Sequence, residues 1–223
     1  MLNNISDITA IILCGGKSKR MGIEKGLLEL NGERTIERIF KIVSSIFNKI
    51  LLITNDPGSY SFLGVPMVGD YFLNNEPLGG IHSGLNKSTT EKNFIISCDM
   101  PFISEEAIRY LAEYKTEAEI LLPKAEGRIQ YLCGIYSKSI LADLEKILSR
   151  EQLTSDSLKK PNLGVKHLIG TSDVEIVNVE GKEFYYKDLF FNMNSPEDYE
   201  YVKEKLSHVI IQSKIMNKNE EQD

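Results

Sequence analysis

Four consecutive apolar residues, Ala10–Leu13, run straight into Cys14-Gly15-Gly16, and Lys17, Lys19, Arg20 and Lys25 follow closely. An uninterrupted apolar run this short lacks the polar alternation of a half-exposed strand, so it reads as a strand buried on both faces. Adjacent glycines let the backbone adopt positive φ and bring its N–H groups close to a ligand. A strand that feeds a Gly turn ringed by cations is suited to holding phosphates. The same residues also fit a strand–turn–helix connection with a solvated basic loop, and spacing alone does not separate the two. Neither a P-loop nor a GxGxxG dinucleotide fingerprint is present, because the next glycine after Gly16 is Gly22, followed by Ile23.

The pattern of strand then helix repeats. Ile36, Ile39, Phe40, Val43, Ile46 and Phe47 recur at helical spacing, with Thr35 as the expected cap. Ile50–Thr54 is a second apolar strand, ending at Asn55-Asp56-Pro57-Gly58, and Val65–Val68 a third, ending at Gly69-Asp70. A Pro/Gly turn at 75–80 leads into a short helix, and Asn93–Ser97 is a fourth apolar run that ends at Cys98-Asp99-Met100-Pro101. Ser104-Glu105-Glu106 opens another amphipathic helix. Ile120–Pro123 and Ile129–Tyr136 read as strands and Ile140–Leu148 as a helix. The later strands near Tyr131 and Val174 are expected to form a small antiparallel extension. Ser195 is expected to cap a last helix from Pro196, with Glu197 and Asp198 in its first turn. Alternation of this kind predicts an α/β fold with a mostly parallel sheet covered on both faces.

Composition narrows the partners. The 223 residues are of a length for one domain, and a formal charge of −6 with no extended basic stripe argues against nucleic acid. No apolar run approaches a membrane span, and Met1–Ala10 lacks the basic and apolar regions of a signal peptide. Cys14, Cys98 and Cys133 form no CxxC or Cys/His cluster, which fits a reducing cytoplasm rather than a zinc site.

In an open parallel sheet, ligands bind beyond the carboxyl ends of the strands. Three such ends carry chemistry: the Gly15-Gly16 loop, Asp70 and Asp99. Asp99 follows a buried strand and precedes a stiffening Pro, so its carboxylate suits Mg²⁺, which takes one or two carboxylates plus phosphate oxygens. It equally suits a turn cap. His82 is a lone histidine, more often structural than a base, and no Ser-His-Asp, Cys-His or HExxH set emerges.

At this level of detail the residues resemble a known family. Leu13–Lys25 is similar to the LAGGxSxRMGxDK signature of nucleotidyltransferases, and most of all to molybdenum cofactor guanylyltransferases of the MobA type. Asp70, Glu76–Ile81, Cys98–Phe102 and Asn192–Asp198 agree with that family in order and spacing, the last resembling NxNTPED. The resemblance implies a Rossmann-like three-layer nucleotidyltransferase domain over 1–207, and the composition of 208–223, rich in Lys, Asn, Glu and Gln, predicts a charged, flexible tail. The resemblance also implies transfer of GMP from GTP to the terminal phosphate of molybdopterin, with loss of pyrophosphate and with Mg²⁺ on Asp99. The implied nucleotide positions are Leu13, Cys14, Gly15, Gly16, Lys25, Asn55, Asp70, Gly79, Gly80 and Asp99. Arg20, Lys25 and Asp99 are the implied catalytic set. Asn192 and Asn194 are implied to help bind metal or acceptor, against a plain turn-forming role before Ser195. Further implied partners are other cofactor-biosynthesis proteins and the recipient molybdoenzyme.

The chain departs from the family pattern in places. Cys14 stands where Ala is usual and Glu24 where Asp is usual. Lys166, in Gly164–His167, is the nearest equivalent to a basic acceptor segment, and 127–133 lacks a Pro-His pair. Rival readings are a CTP-dependent molybdopterin cytidylyltransferase, a sugar-phosphate or isoprenoid nucleotidyltransferase, and a GTP-binding adaptor without turnover.

Overall fold

The computed structural model describes residues 4–15, 24–72, 75, 77–153 and 164–220, with side chains left aside at 151–153 and 209–220. Its strands are β1 (Ile5–Leu13), β2 (Glu29–Leu30), β3 (Glu33–Arg34), β4 (Phe47–Ile53), β5 (Met67–Val68), β6 (Lys92–Ser97), β7 (Ile120–Ala125), β8 (Arg128–Ile129), β9 (Cys133–Ser137) and β10 (Val174–Asn178). The helices are α1 (Thr35–Ile46), α2 (Pro57–Tyr60), α3 (Leu78–Lys87), α4 (Glu105–Ala112), α5 (Leu141–Leu153), α6 (Val165–Ile169) and α7 (Pro196–Glu220). The main sheet has the order β10-β7-β9-β6-β1-β4-β5, with β8 pairing β7 at one end, while β2 and β3 form a separate hairpin.

β1 lies inside the sheet, paired in parallel with both β4 and β6, and is buried from Ile8 to Leu13. Its side chains alternate between two cores. Ala10, Ile12 and Cys14 face α1 and α4, whereas Ile11 and Leu13 face α3, α5 and α6. Each fully buried Ile or Leu on these faces contributes roughly 1.5–3 kcal/mol of burial, so both layers are held firmly against the sheet. α3 comes unusually close, since a Cβ on Gly84 would lie 2.6 Å from Ile11 Cγ2. A third, smaller core of Leu30, Phe102, Met193, Val202 and Leu206 seats α7 against the β2–β3 hairpin. The hairpin turns at Asn31 and Gly32, whose φ values of 55° and 82° are those of a tight two-residue turn.

Most of the expected elements are present, with three corrections. Thr35 is not the cap of α1. The preceding Arg34 N–H donates to Glu37 Oε2 at 2.9 Å, and the Thr35 hydroxyl donates to Leu28 O at 3.0 Å. The strand expected over 129–136 is interrupted: Gln130 N still follows the β8 pairing to Pro123 O, but Cys133 N then donates to Gln130 O and folds 130–133 into a turn before β9. β10 pairs β7 in parallel, not antiparallel; β9 is the strand that reverses within the main order. By contrast Ser195 and Asp198 cap α7 reciprocally, Ser195 N donating to Asp198 Oδ2 at 2.8 Å and Asp198 N to Ser195 Oγ at 3.2 Å.

Candidate active site

The carboxyl ends of β1, β4, β5 and β6 end level with one another, because backbone bonds run one residue past each strand. Cys14 N donates to Ile53 O, Thr54 N to Val68 O and Cys98 N to Leu13 O. The turns that follow therefore open on a single edge, and the residues there form two adjoining parts.

The first part is a small hollow lined by Leu13, Gly15, Ile53, Asp70, Pro77, Gly80, Ser97 and Leu132. Gly80, in the first turn of α3, leaves space beside Leu13 and Asp70: a Cβ there would stand 3.4 Å from Leu13 Cδ2 and 3.5 Å from Asp70 Oδ1. Its neighbour Gly79 is also required by the fold. A Cβ on Gly79 would come within 2.6 Å of the Phe72 carbonyl oxygen. Asn55 locks Asp70 in place, its Oδ1 accepting from Asp70 N at 2.8 Å and its Nδ2 donating to Asp70 Oδ2 at 3.4 Å. Burial raises the Asp70 carboxyl above its ordinary range, and the Asn55 amide lowers it less than burial raises it.

The second part is a polar corner around Asp99. Ser97 Oγ donates to Asp99 Oδ1 at 2.6 Å, and Lys25 Nζ donates to Asp99 Oδ2 at 3.0 Å. Lys25 Nζ also reaches Asn194 Oδ1 at 2.5 Å. Local packing explains why Lys25 arrives here. Gly26 is pressed between Tyr60 and Cys98, where a Cβ would meet Tyr60 Oη at 3.1 Å and Cys98 Sγ at 3.3 Å. Glu24 Oε2 accepts the buried Tyr60 hydroxyl at 2.6 Å, and burial holds that phenol well above its ordinary range. The Glu24–Gly26 segment is thus fixed over the end of β6. On the far side, Met193 N donates to Asp99 O at 2.9 Å, and the buried Met193 side chain anchors the segment carrying Asn194.

The structure thus brings together Lys25, Asp99 and Asn194 in one group and Leu13, Gly15, Asn55, Asp70 and Gly80 in another. Cys14 is buried on the α1/α4 side with Cys98, where burial and the neighbouring thiol raise it well above the usual thiol range. Asn192 turns its amide nitrogen to Phe190 O at 2.9 Å, which is the turn-forming role. Gly16 and Arg20, with Lys17 and Lys19, lie outside the described residues. Lys166 is exposed on α6. His82 is buried on α3, edge-on to Phe72 and 3.3 Å from Glu145, in a structural setting.

Sequence reasoning missed Ser97 as a partner of Asp99, although two residues apart at a strand end place both on one face. It also missed a groove of about 450 Å³ that begins at Asn192 and Asn194 and runs past Phe190 and Tyr185 to Ile129, Gln130 and Arg128. Its carboxylates are engaged with the protein: Asp198 in the α7 cap, Glu126 with Asp188 N, and Asp188 with Tyr201. Arg128 is exposed on the rim.

The donor chemistry fits a hard divalent cation. Asp99 Oδ2 and Asn194 Oδ1 are both oxygens, and both already accept from one positively charged nitrogen. Among the described residues there is no group of three or more His, Cys, Asp or Glu, so a cation there would depend on substrate oxygens, as Mg²⁺ does at phosphates.

A mostly parallel sheet with a lysine–aspartate pair and a hollow at its carboxyl edge defines a nucleotide-handling α/β protein. Residues 10–161 match the model of the MobA-like NTP transferase domain. A probable molybdenum cofactor guanylyltransferase of Clostridium perfringens is 36% identical over 193 residues, covering 86% of this chain and 94% of that protein. Another, of Carboxydothermus hydrogenoformans, is 34% identical over 199 residues, covering 88% and 95%. The crystal structure of molybdopterin-guanine dinucleotide biosynthesis protein A from Archaeoglobus fulgidus superposes with a TM-score of 0.74 at 22% identity, covering 90% of this chain and all of that one. The chain belongs to the MobA-like NTP transferase family.

Proposed function

We propose that this chain is a nucleotidyltransferase that transfers GMP from GTP to the terminal phosphate of molybdopterin, forming the guanine dinucleotide and releasing pyrophosphate. The observation that carries the reading is the convergence of Lys25, Asp99 and Asn194 beside the hollow of Leu13, Gly15, Asp70 and Gly80. Family membership and relatives named as guanylyltransferases at 34–36% identity support it.

Nucleotidyl transfer between phosphates asks a protein for position and charge more than for covalent chemistry. The Gly15-Gly16 backbone, with Arg20 and Lys25, takes the triphosphate, and the hollow takes the nucleoside. Asp99, with Asn194 beside it, would hold Mg²⁺, which when bound neutralises charge on the reacting phosphate oxygens. Ser97 orients Asp99 by bonding one oxygen, which leaves the other for cations. The nucleophile is an ionised phosphate, so no general base is needed, and the structural setting of His82 agrees with that.

The groove from Asn194 to Arg128 suits the acceptor. It has the volume of a small-molecule site, apolar walls from Phe190 and Ile129, and a cation at its outer end for a further anionic group. A cytoplasmic location accompanies this reading; the three described cysteines are free, and no described helix is long and apolar enough to cross a membrane.

Incubating the protein with molybdopterin, Mg²⁺ and either α-labelled GTP or α-labelled CTP tests the reading. Label should pass from GTP to the pterin with release of pyrophosphate. A preference for CTP would overturn the guanine assignment, and nucleotide binding without transfer from either would favour the adaptor.

A further inference from the structure

The two oxygens suited to a divalent cation are already capped by a cation belonging to the chain. Lys25 Nζ lies 3.0 Å from Asp99 Oδ2 and 2.5 Å from Asn194 Oδ1. An ammonium has only donors to offer, and this one spends two of them on acceptors 74 and 169 residues away. Ser97 engages the second oxygen of Asp99 at 2.6 Å, which leaves Oδ2 as the one shared between cations. A divalent ion and an ammonium on the same carboxylate oxygen repel each other, so both cannot keep that place.

From this geometry we infer that Lys25 acts as an internal competitor for the metal position, so that divalent metal binds weakly without nucleotide and tightly with it. Phosphate oxygens give the displaced ammonium a new partner, and they supply the ligands that Asp99 and Asn194 alone cannot. The pair is able to open. The Lys25 side chain is 21% exposed and that of Asp99 11%, and the exchange strands neither charge, since phosphate takes the ammonium as the divalent ion takes the carboxylate. Gly26 and Glu24 fix the backbone on the C-terminal and N-terminal sides of Lys25, so the exchange needs the side chain alone to swing. The consequence is ordered chemistry: metal enters with the nucleotide, and the corner does not collect free divalent ions.

The inference rests on the reading that Asp99 takes Mg²⁺ alongside GTP, and one set of measurements separates the two. Mn²⁺ is the probe, followed by the loss of its free-ion paramagnetic resonance signal. Without nucleotide, Lys25→Met should bind Mn²⁺ at least tenfold more tightly than wild type, and Lys25→Arg, which keeps the charge, should stay weak. Adding a GTP analogue with a methylene between the α- and β-phosphates should tighten Mn²⁺ binding to wild type but not to Asp99→Asn, beyond what the analogue binds in solution. If Lys25→Met, or Lys25→Gln should the first variant melt early, binds Mn²⁺ no better than wild type while the Asp99-dependent effect of the analogue persists, the competition is refuted. If that Asp99-dependent effect is itself missing, the metal assignment of Asp99 falls, and the competition falls with it.

Discussion

Two aspartates close two strands of one sheet edge, and their surroundings separate the halves of the site. Asp99 has its carboxylate held by a hydroxyl on one oxygen and an ammonium on the other. Among the described residues Asp70 has only the side-chain amide of Asn55 and the wall of the hollow, and burial raises its carboxyl. The Asp99 corner draws on three distant stretches of chain. The hollow around Asp70 is built from strand ends and the first turn of α3. The difference teaches that one half is specialised for charge and the other for shape, although both begin with the same residue type in the same topological position.

The sharpest test of that contrast is Asp99→Ala. It should lower GMP transfer by on the order of 10³-fold or more, as loss of a transition-state charge partner does, with the folded state preserved by circular dichroism. Retained transfer, measured by pyrophosphate release, would remove Asp99 from the chemistry and dissolve the contrast. In the hollow the adjacent glycines should part company. Gly80→Ala meets only ordinary contacts and should raise the KM for GTP about tenfold through lost space, equal to about 1.4 kcal/mol, with little change in Tm. Gly79→Ala runs into the Phe72 carbonyl and should lose about 1–3 kcal/mol of stability on thermal melting instead.

Arg128→Ala should raise the KM for the acceptor by roughly tenfold, about 1.4 kcal/mol, and leave that for GTP unchanged. Equal effects on both would show that the groove is not a separate acceptor site. The smallest effect is expected from Asp70→Asn. A carboxyl raised in the folded state contributes stability below the ordinary carboxylate range, and that contribution is lost as pH climbs through the raised value. The Asn variant should therefore melt higher than wild type at pH 7, with the gain shrinking toward about pH 4, while GTP binding weakens a few-fold. A gain that grows on acidification would contradict the role of burial.

What the sequence makes legible follows the same division. The apolar runs at Ala10–Leu13, Ile50–Thr54 and Asn93–Ser97 announce buried parallel strands, and the residues that terminate them announce the edge where ligands bind. Ser195 with Asp198 is equally readable, because a cap is a local bargain between residues three apart. The parallel direction of β10 is not readable, since a short strand of mixed burial carries no mark of which neighbour it will choose. Nor do Gln130–Cys133 give any sign that they will break a strand, where Cys133 N closes a turn on Gln130 O. Nor can local pattern join Lys25 to Asn194, a contact that exists only after α7 has packed its first turn and Met193 has filled its core.

The bond from Met193 N to Asp99 O has a bearing on how the protein is made. Domains take shape as they emerge from the ribosome, N-terminal portions first. Here the sheet can assemble around β1, β4 and β6 while synthesis is still in progress, yet Asp99 waits for residues 193 and 194 before its corner is complete. A nascent or prematurely terminated chain that stops short of that segment carries the glycine turn and the hollow without the group that finishes the site. Synthesis must pass residues 193 and 194 before the two halves can work together.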